Sequence, residues 1–288
     1  MSTAAFLRDK RVFITGGSSG IGLALAQQAA RAGARVAIVA RDRDRLAAAA
    51  DAIRGGAAPG AIVSTHAADI TDAGAAAGAV EAARTALGDL DIVINNAGFA
   101  IPGVIDELAA DAFTAMLAVN YLGAVHITRA ALPGLLERGH GAIVNVASML
   151  GFMGLYGYGA YAASKFALVG FTECLRAEVA PRGVQVSIVY APTTTTPGLE
   201  RENAIKPPET WALESGSRQF PPEEVAAAIL VGVAQGRYEI LVGRDSRLIW
   251  RAYRYAPGAV RWWLDRVLRR ARGAAPGPSP VMPSRPGG

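Results

Sequence analysis

Short, almost wholly apolar runs alternate along the chain with longer segments whose apolar residues recur every three or four positions. "RVFIT" at 11–15 reads as a strand and 20–32 as a helix. "ARVAIVA" at 34–40 is a second strand, followed by an Arg/Ala-rich helix from Arg43. "AIVSTHA" at 61–67 and "DIVINN" at 91–96 are the third and fourth strands. A long helix is expected over 110–138, a strand in "GAIVNVAS" at 141–148 and a helix over 161–180. "VQVSIVY" at 184–190, a helix over 222–235 and "YEILVG" at 238–243 complete the series. Strands this uniformly apolar are covered on both faces, and strands separated by helices demand right-handed crossovers. The pattern predicts an α/β fold: a doubly wound, mainly parallel sheet of seven strands with helices on both faces.

Composition narrows this little, charge more. The 288 residues are 51% apolar, enough for one large core. Cys174 is the only cysteine, which excludes an intrachain disulfide and points to a reducing, cytoplasmic compartment. "MSTAAFLRDKRVFITGG" lacks the apolar core of a signal peptide. The uncharged run 141–164 carries Asn145, Ser148 and five glycines, so it reads as strand plus loop, not a membrane helix. The net charge of +5 divides into +8 from residue 244 onward and −3 before it. We therefore expect a main domain over 1–243 with a substrate loop at 192–220, a basic Trp/Arg-rich extension over 244–272 and a disordered tail over 273–288. His66, His126 and His140 are scattered, so no metal is expected.

"TGGSSGIG" at 15–22 joins the first strand to the first long helix. Its glycines allow a tight turn and close backbone approach to a pyrophosphate, and the helix N-terminus supplies free N–H groups. Gly16, Ser18, Ser19, Gly20, Ile21 and Gly22 are the candidate phosphate cradle. An acidic residue ending the second strand would bind a ribose 2′-hydroxyl; here Arg41 stands there, with Arg43 close behind, which suits the 2′-phosphate of NADP. Asp42 and Asp44 keep NAD open. Asp69 and Ile70 end the third strand, where an adenine ring would pack, and Asn96, Ala97 and Gly98 of "NNAG" end the fourth.

"YAASK" places Tyr161 and Lys165 one helical turn apart. The ammonium is expected to lower the tyrosine pKa, so that Tyr161 can protonate a carbonyl oxygen while Ser148 holds that oxygen. Together with "NNAG", Asn120 in "LAVNYLGA" and Ser148 in "NVASMLG", these motifs resemble the short-chain dehydrogenase/reductase family from residue 10 to about 243. The resemblance implies a Rossmann-type fold and an Asn120–Ser148–Tyr161–Lys165 tetrad. In it Tyr161 is the acid, Lys165 also binds the nicotinamide ribose, and Asn120 holds a water in a proton relay. It implies NADPH/NADP+ as cofactor, and a homo-oligomer, dimer or tetramer, through the helices near 110–138 and 161–180.

The family's Pro-Gly pair after the sixth strand is replaced here by Ala191-Pro192. By that resemblance Thr194 and Thr196 contact the nicotinamide end, while Thr193 and Thr195 are either redundant hydroxyls or β-prone loop residues. "YAPTTTTPGLERENAIKPPET", then "PPEEVAAAILVGVAQGRYEI", is similar to the 3-ketodihydrosphingosine reductase branch. That similarity implies reduction of the C3 ketone of 3-ketosphinganine to sphinganine. Thr193 and Thr195 stand where that branch tends to have aspartates. Leu199, Ile205, Trp211 and Leu213 either line a route for an acyl chain or pack the loop down. The alternatives are a reductase of another lipid-like ketone (β-ketoacyl thioester, steroid or retinoid) and a non-enzymatic NADPH sensor or scaffold.

"RLIWRAYRYAPGAVRWWLDRVLRR" holds three of the four tryptophans among many arginines. The readings that stand are helices lying in an anionic lipid interface, on the cytoplasmic face of a membrane, an arginine-rich contact with another subunit, or a solvated helix with buried tryptophans. The chain offers no nucleic-acid recognition module.

Overall fold

The computed structural model describes residues 2–273; the tail expected to be disordered lies outside them, Gly273 apart. The elements run α1 (Thr3–Leu7), β1 (Arg11–Thr15), α2 (Gly20–Arg31), β2 (Arg35–Ala40), α3 (Arg43–Arg54), β3 (Val63–Ala67), α4 (Ala73–Leu87) and β4 (Ile92–Asn95). Next come α5 (Ala110–Leu117), α6 (Gly123–Arg138), β5 (Gly141–Ser148), α7 (Gly159–Val179) and β6 (Val184–Ala191). The chain continues with α8 (Pro197–Asn203), α9 (Pro208–Glu214), α10 (Pro222–Ala234), β7 (Glu239–Leu241), α11 (Gly243–Tyr255) and α12 (Pro257–Gly273). All seven expected strands are present. Helices α1, α4, α8 and α9 were not expected. The α4 sequence, "AGAAAGAVEAARTAL", has too few bulky residues to show a period.

The strands form one parallel sheet in the order β3-β2-β1-β4-β5-β6-β7. Alternate side chains leave opposite faces of each strand. Val12, Ile14, Val36 and Ile38 pack under α2, α3 and α10, whereas Phe13, Ala37, Val39 and Val93 pack under α4, α6 and α7. Both layers are dry, so a large-to-small change such as Leu25→Ala, at a fully buried position, costs about 2–5 kcal/mol. A polar rung crosses one layer: Asn95 Nδ2 donates to Asn145 Oδ1 at 2.8 Å and to Thr128 Oγ1 at 3.0 Å, and Asn145 Nδ2 donates to Thr172 Oγ1 at 2.8 Å. These bonds fix β4 and β5 against α6 and α7. The helical run Ala110–Arg138 is long and apolar enough to cross a bilayer, but its inner face, including Met116, Ile127 and Leu135, is buried within the fold.

Strand order reverses at β1, which pairs with β2 on one side and β4 on the other. Outside the carboxyl ends of β1 and β4 the flanking loops part, and a crevice opens there.

Candidate active site

That crevice is the mouth of a cavity of about 1290 Å³. With the exceptions of Gly22 and Asn120, every site residue expected from the sequence lines it.

Gly22 stands behind the wall, where a Cβ would fall 2.2 Å from the Gly16 carbonyl oxygen, so only glycine lets α2 seat against the turn. Ser19, the α2 N-cap, makes no side-chain capping bond, leaving the first N–H groups of the helix free at the carboxyl edge of β1. This donor set fits a pyrophosphate. Thr15, which sequence reasoning missed, ties the two ligand-facing turns together. Its Oγ1 accepts the Asn96 and Ala97 N–H groups, each at 3.0 Å, and its carbonyl accepts from Asn96 Nδ2 at 3.0 Å.

Arg41 is exposed at the end of β2 and lines the cavity together with Arg45; Arg43 does not reach it. The Asp69 carboxylate accepts from the Thr71 N–H at 2.9 Å and hydroxyl at 2.8 Å. Those bonds, with the charge of Arg41, hold it below the usual carboxylate range. Ile70 is buried beside it against Gly123.

Asn120 sits in a π-helical turn, Ala118–Leu122, between α5 and α6. Both of its amide hydrogens are donated and Oδ1 accepts one bond. Oδ1 accepts from the Phe99 N–H at 2.9 Å, and Nδ2 donates to the Phe99 carbonyl and to Ser164 Oγ, both at 2.9 Å. Lys165 is buried, and its Nζ donates to the Val146 carbonyl at 2.9 Å. Gly98 is the meeting point: a Cβ there would lie 2.9 Å from Asn120 Oδ1 and 3.2 Å from Lys165 Nζ. Ser148, at the end of β5, accepts from the Leu150 N–H at 3.2 Å and also contacts the Tyr161 hydroxyl.

The tyrosine pKa departs from expectation. Burial dominates and raises it, the charge of Glu202 adds to that, and Ser148 offsets only part. Lys165 does not counter the shift: its Nζ stands 5.8 Å from the Tyr161 ring centroid, and burial pushes its own pKa down to about 8.

Beyond Tyr161 the cavity becomes apolar. Thr193 and Thr195 work through their backbones, Phe220 N–H donating to the Thr193 carbonyl and Thr195 N–H to the Phe220 carbonyl, each at 2.9 Å. Thr194 Oγ1 donates to the Pro192 carbonyl at 2.8 Å, and Thr196 caps α8 by accepting the Leu199 N–H at 3.2 Å. Leu199, Ile205 and Leu213 line the cavity; Trp211 does not, and stacks instead on Lys206 at 4.8 Å. Tyr158, Glu202 and Glu214 also line it; the sequence marks Glu202 only as part of the stretch similar to the reductase branch, and does not mark the other two.

The basic extension folds as α11 and α12, broken at Pro257 as expected. Its apolar side walls the same cavity through Leu248, Ile249, Val260, Trp263 and Leu264. Leu248 stays 69% exposed and Trp263 52%. Arg272 holds the end of α12 to the substrate loop, donating to Glu209 at 3.4 Å and stacking on Tyr156 at 5.1 Å.

Comparison with known proteins agrees with this architecture. A bovine 3-ketodihydrosphingosine reductase is 36% identical over 245 residues, covering 84% of this chain and 74% of that protein. A short-chain dehydrogenase/reductase of Burkholderia phymatum, solved with NAD, superposes with a TM-score of 0.77 at 25% identity, covering 89% of this chain and 96% of its own. A Burkholderia cenocepacia short-chain dehydrogenase solved with NADP gives 0.75 at 27% identity, covering 90% and 98%. The family model described as short chain dehydrogenase matches residues 10–206. A glycine-turned sheet edge, a tyrosine on the cavity wall with a buried lysine and a serine beside it, and these likenesses have one common reading: the chain belongs to the short-chain dehydrogenase family, an oxidoreductase family whose members use a nicotinamide dinucleotide.

Proposed function

We propose that the enzyme reduces the C3 ketone of 3-ketosphinganine to sphinganine with NADPH. One observation carries this. A match covering 84% of the chain must include residues 192–220, so the likeness to the bovine reductase extends through the loop that walls the substrate end.

Bound NADPH supplies the hydride to the carbonyl carbon. Tyr161 donates its hydroxyl proton to the carbonyl oxygen, and its raised pKa keeps it in the protonated form a reduction needs. Ser148 steadies the same oxygen. Lys165 grips the nicotinamide ribose. Since both Asn120 amide hydrogens are committed and the side chain is buried, a proton relay through this residue runs over its backbone. Arg41 takes the 2′-phosphate. Thr194 and Thr196 shape the nicotinamide end through the loop they brace.

The exposed apolar flank of α11 and α12, fringed with arginines, rests on an anionic membrane face and opens the cavity toward lipid. Exposed Leu117, Leu122 and Phe166, on the helices that pair subunits in this family, favour a homo-oligomer. The domain division at 243, with a catalytic body and a lipid-facing extension, belongs to the same reading.

The test is NADPH oxidation by the full chain with 3-ketosphinganine in anionic liposomes, with sphinganine identified by mass spectrometry. Turnover supports the proposal. Absence of turnover while NADPH still binds contradicts it.

A further inference from the structure

We propose that Glu202 is an ammonium subsite: it holds the primary amine on the carbon next to the substrate's ketone and so selects amino ketones over other long-chain ketones. The inference rests on the function proposed above and names how that site tells its substrate apart.

The "EREN" stretch of the loop forms the end of α8, which Thr196 starts by capping the Leu199 N–H. The helix carries Glu202 into the cavity wall. There Glu202 Oε2 accepts the Tyr158 hydroxyl at 3.1 Å. The Tyr158 ring lies 5.9 Å from the Tyr161 ring, so the carboxylate stands one aromatic ring away from the candidate acid. Its charge is felt at Tyr161 itself. An amine one carbon from the carbonyl has to lie close to the group that protonates the carbonyl oxygen. Glu202 occupies that neighbourhood.

The local charges do not balance. Lys206 is the lysine of this cluster, and it is already committed: its Nζ donates to Glu214 Oε2 at 2.5 Å and to Asn203 Oδ1 at 2.9 Å, with 1% of its side chain exposed. Glu214 is thereby neutralised and Glu202 is not. Among the described residues no Lys, Arg or His nitrogen lies within 4.0 Å of the Glu202 carboxylate. Burial raises its pKa and the charge of Glu214 adds to that, while the Tyr158 bond and the charges of Lys206 and Arg201 offset it only in part, so the ionised form has one hydrogen bond and no ion pair. The same lining carries the apolar side chains of Met153, Leu155, Leu199, Ile205 and Leu213. An amphiphile with one ammonium and a long chain fits such a wall: the chain lies along the apolar lining, and the cation has one uncompensated carboxylate to meet. A β-ketoacyl thioester or a steroid ketone brings no cation, and would leave the part-buried Glu202 with the Tyr158 hydroxyl but no ion pair.

The test compares wild type and Glu202→Gln on two substrates, 3-ketosphinganine and its N-acetyl derivative, which keeps the ketone, hydroxyl and chain but loses the charge. NADPH binding serves as the folding control for both proteins. Wild type is expected to prefer the free amine in kcat/KM by about tenfold to a hundredfold, the worth of a charge-assisted bond. In Glu202→Gln that preference should collapse toward unity, chiefly through a higher KM for the amine. Two results overturn the inference while leaving the reductase reading intact: a wild-type enzyme that reduces both substrates equally, or a variant that keeps the wild-type preference. A wild-type protein that binds NADPH and reduces neither substrate refutes the proposed function, and the subsite falls with it.

Discussion

The two ends of the cavity are built differently. At the cofactor end, ligand-facing groups sit on strand ends and a helix N-terminus, and the bonds that set them are mostly backbone or one residue deep, such as Thr15 to Asn96 and Ala97. At the substrate end, the walls are α8, α9, α11 and α12, which lie outside the sheet and are held by a few side-chain pairs. Lys206 to Glu214, Thr210 Oγ1 to the Tyr156 carbonyl at 2.9 Å and Arg272 to Glu209 are the main ones. A rigid sheet edge can therefore serve one cofactor chemistry throughout a family, while an appended loop and helix pair decide which ketone arrives.

The largest expected effect falls where the two ends meet. Tyr161→Phe removes the proton donor, and ketone-dependent NADPH oxidation should drop about 10²–10⁴-fold while NADPH still binds. Unchanged turnover would show that another group supplies the proton. Lys206→Met should act on the substrate end alone. Breaking a buried pair costs about 3–5 kcal/mol, reduced here because Glu214 reaches solvent with 18% of its side chain. The expected outcome is faster proteolysis within 200–216 and a KM for the ketone raised by about tenfold, with NADPH affinity nearly constant. An equal loss of NADPH affinity would show the two ends to be mechanically coupled. Arg41→Ala should act on the other end alone, weakening NADPH about tenfold, or about 1.4 kcal/mol, and NADH far less, as isothermal titration would show.

The smallest effect is one of pH. Burial lowers the Lys165 pKa from 10.5 to about 8, so between those values the unfolded chain binds a proton that the folded one does not. Stability of the cofactor-free enzyme should therefore rise with pH across that window, relative to Lys165→Met. NADPH affinity should move the opposite way, falling as pH rises through about 8 and the ammonium that grips the ribose is lost. A Kd independent of pH from 7 to 9.5 would remove Lys165 from the ribose.

This contrast also explains what could be read in the sequence. The strands announce themselves because double burial makes them apolar runs, and "TGGSSGIG" and "YAASK" because their chemistry needs those residues at adjacent positions. Glu202 is legible only as one residue of the stretch similar to the reductase branch, and its partnership with Tyr158 is not legible at all, since it spans 44 residues and exists only once the loop folds back. The direction of the Tyr161 shift was misjudged for a similar reason. Spacing shows that Lys165 is near, but not that its Nζ donates to the Val146 carbonyl or how strongly the protein around Tyr161 desolvates its hydroxyl. The arginines and tryptophans of the extension suggested lipid or another subunit; that their apolar side walls the cavity depends on where α12 docks.

The most direct test of this account is the ratio of kcat/KM for 3-ketosphinganine to that for a β-ketoacyl thioester of equal chain length, measured with NADPH on one preparation of the full chain. If the substrate end selects a long-chain amino ketone, the ratio should exceed about a hundred, the combined worth of the ammonium contact and a fitted chain. A ratio at or below one would mean that the loop and the C-terminal helices serve some other ketone, and that Glu202 has a different purpose.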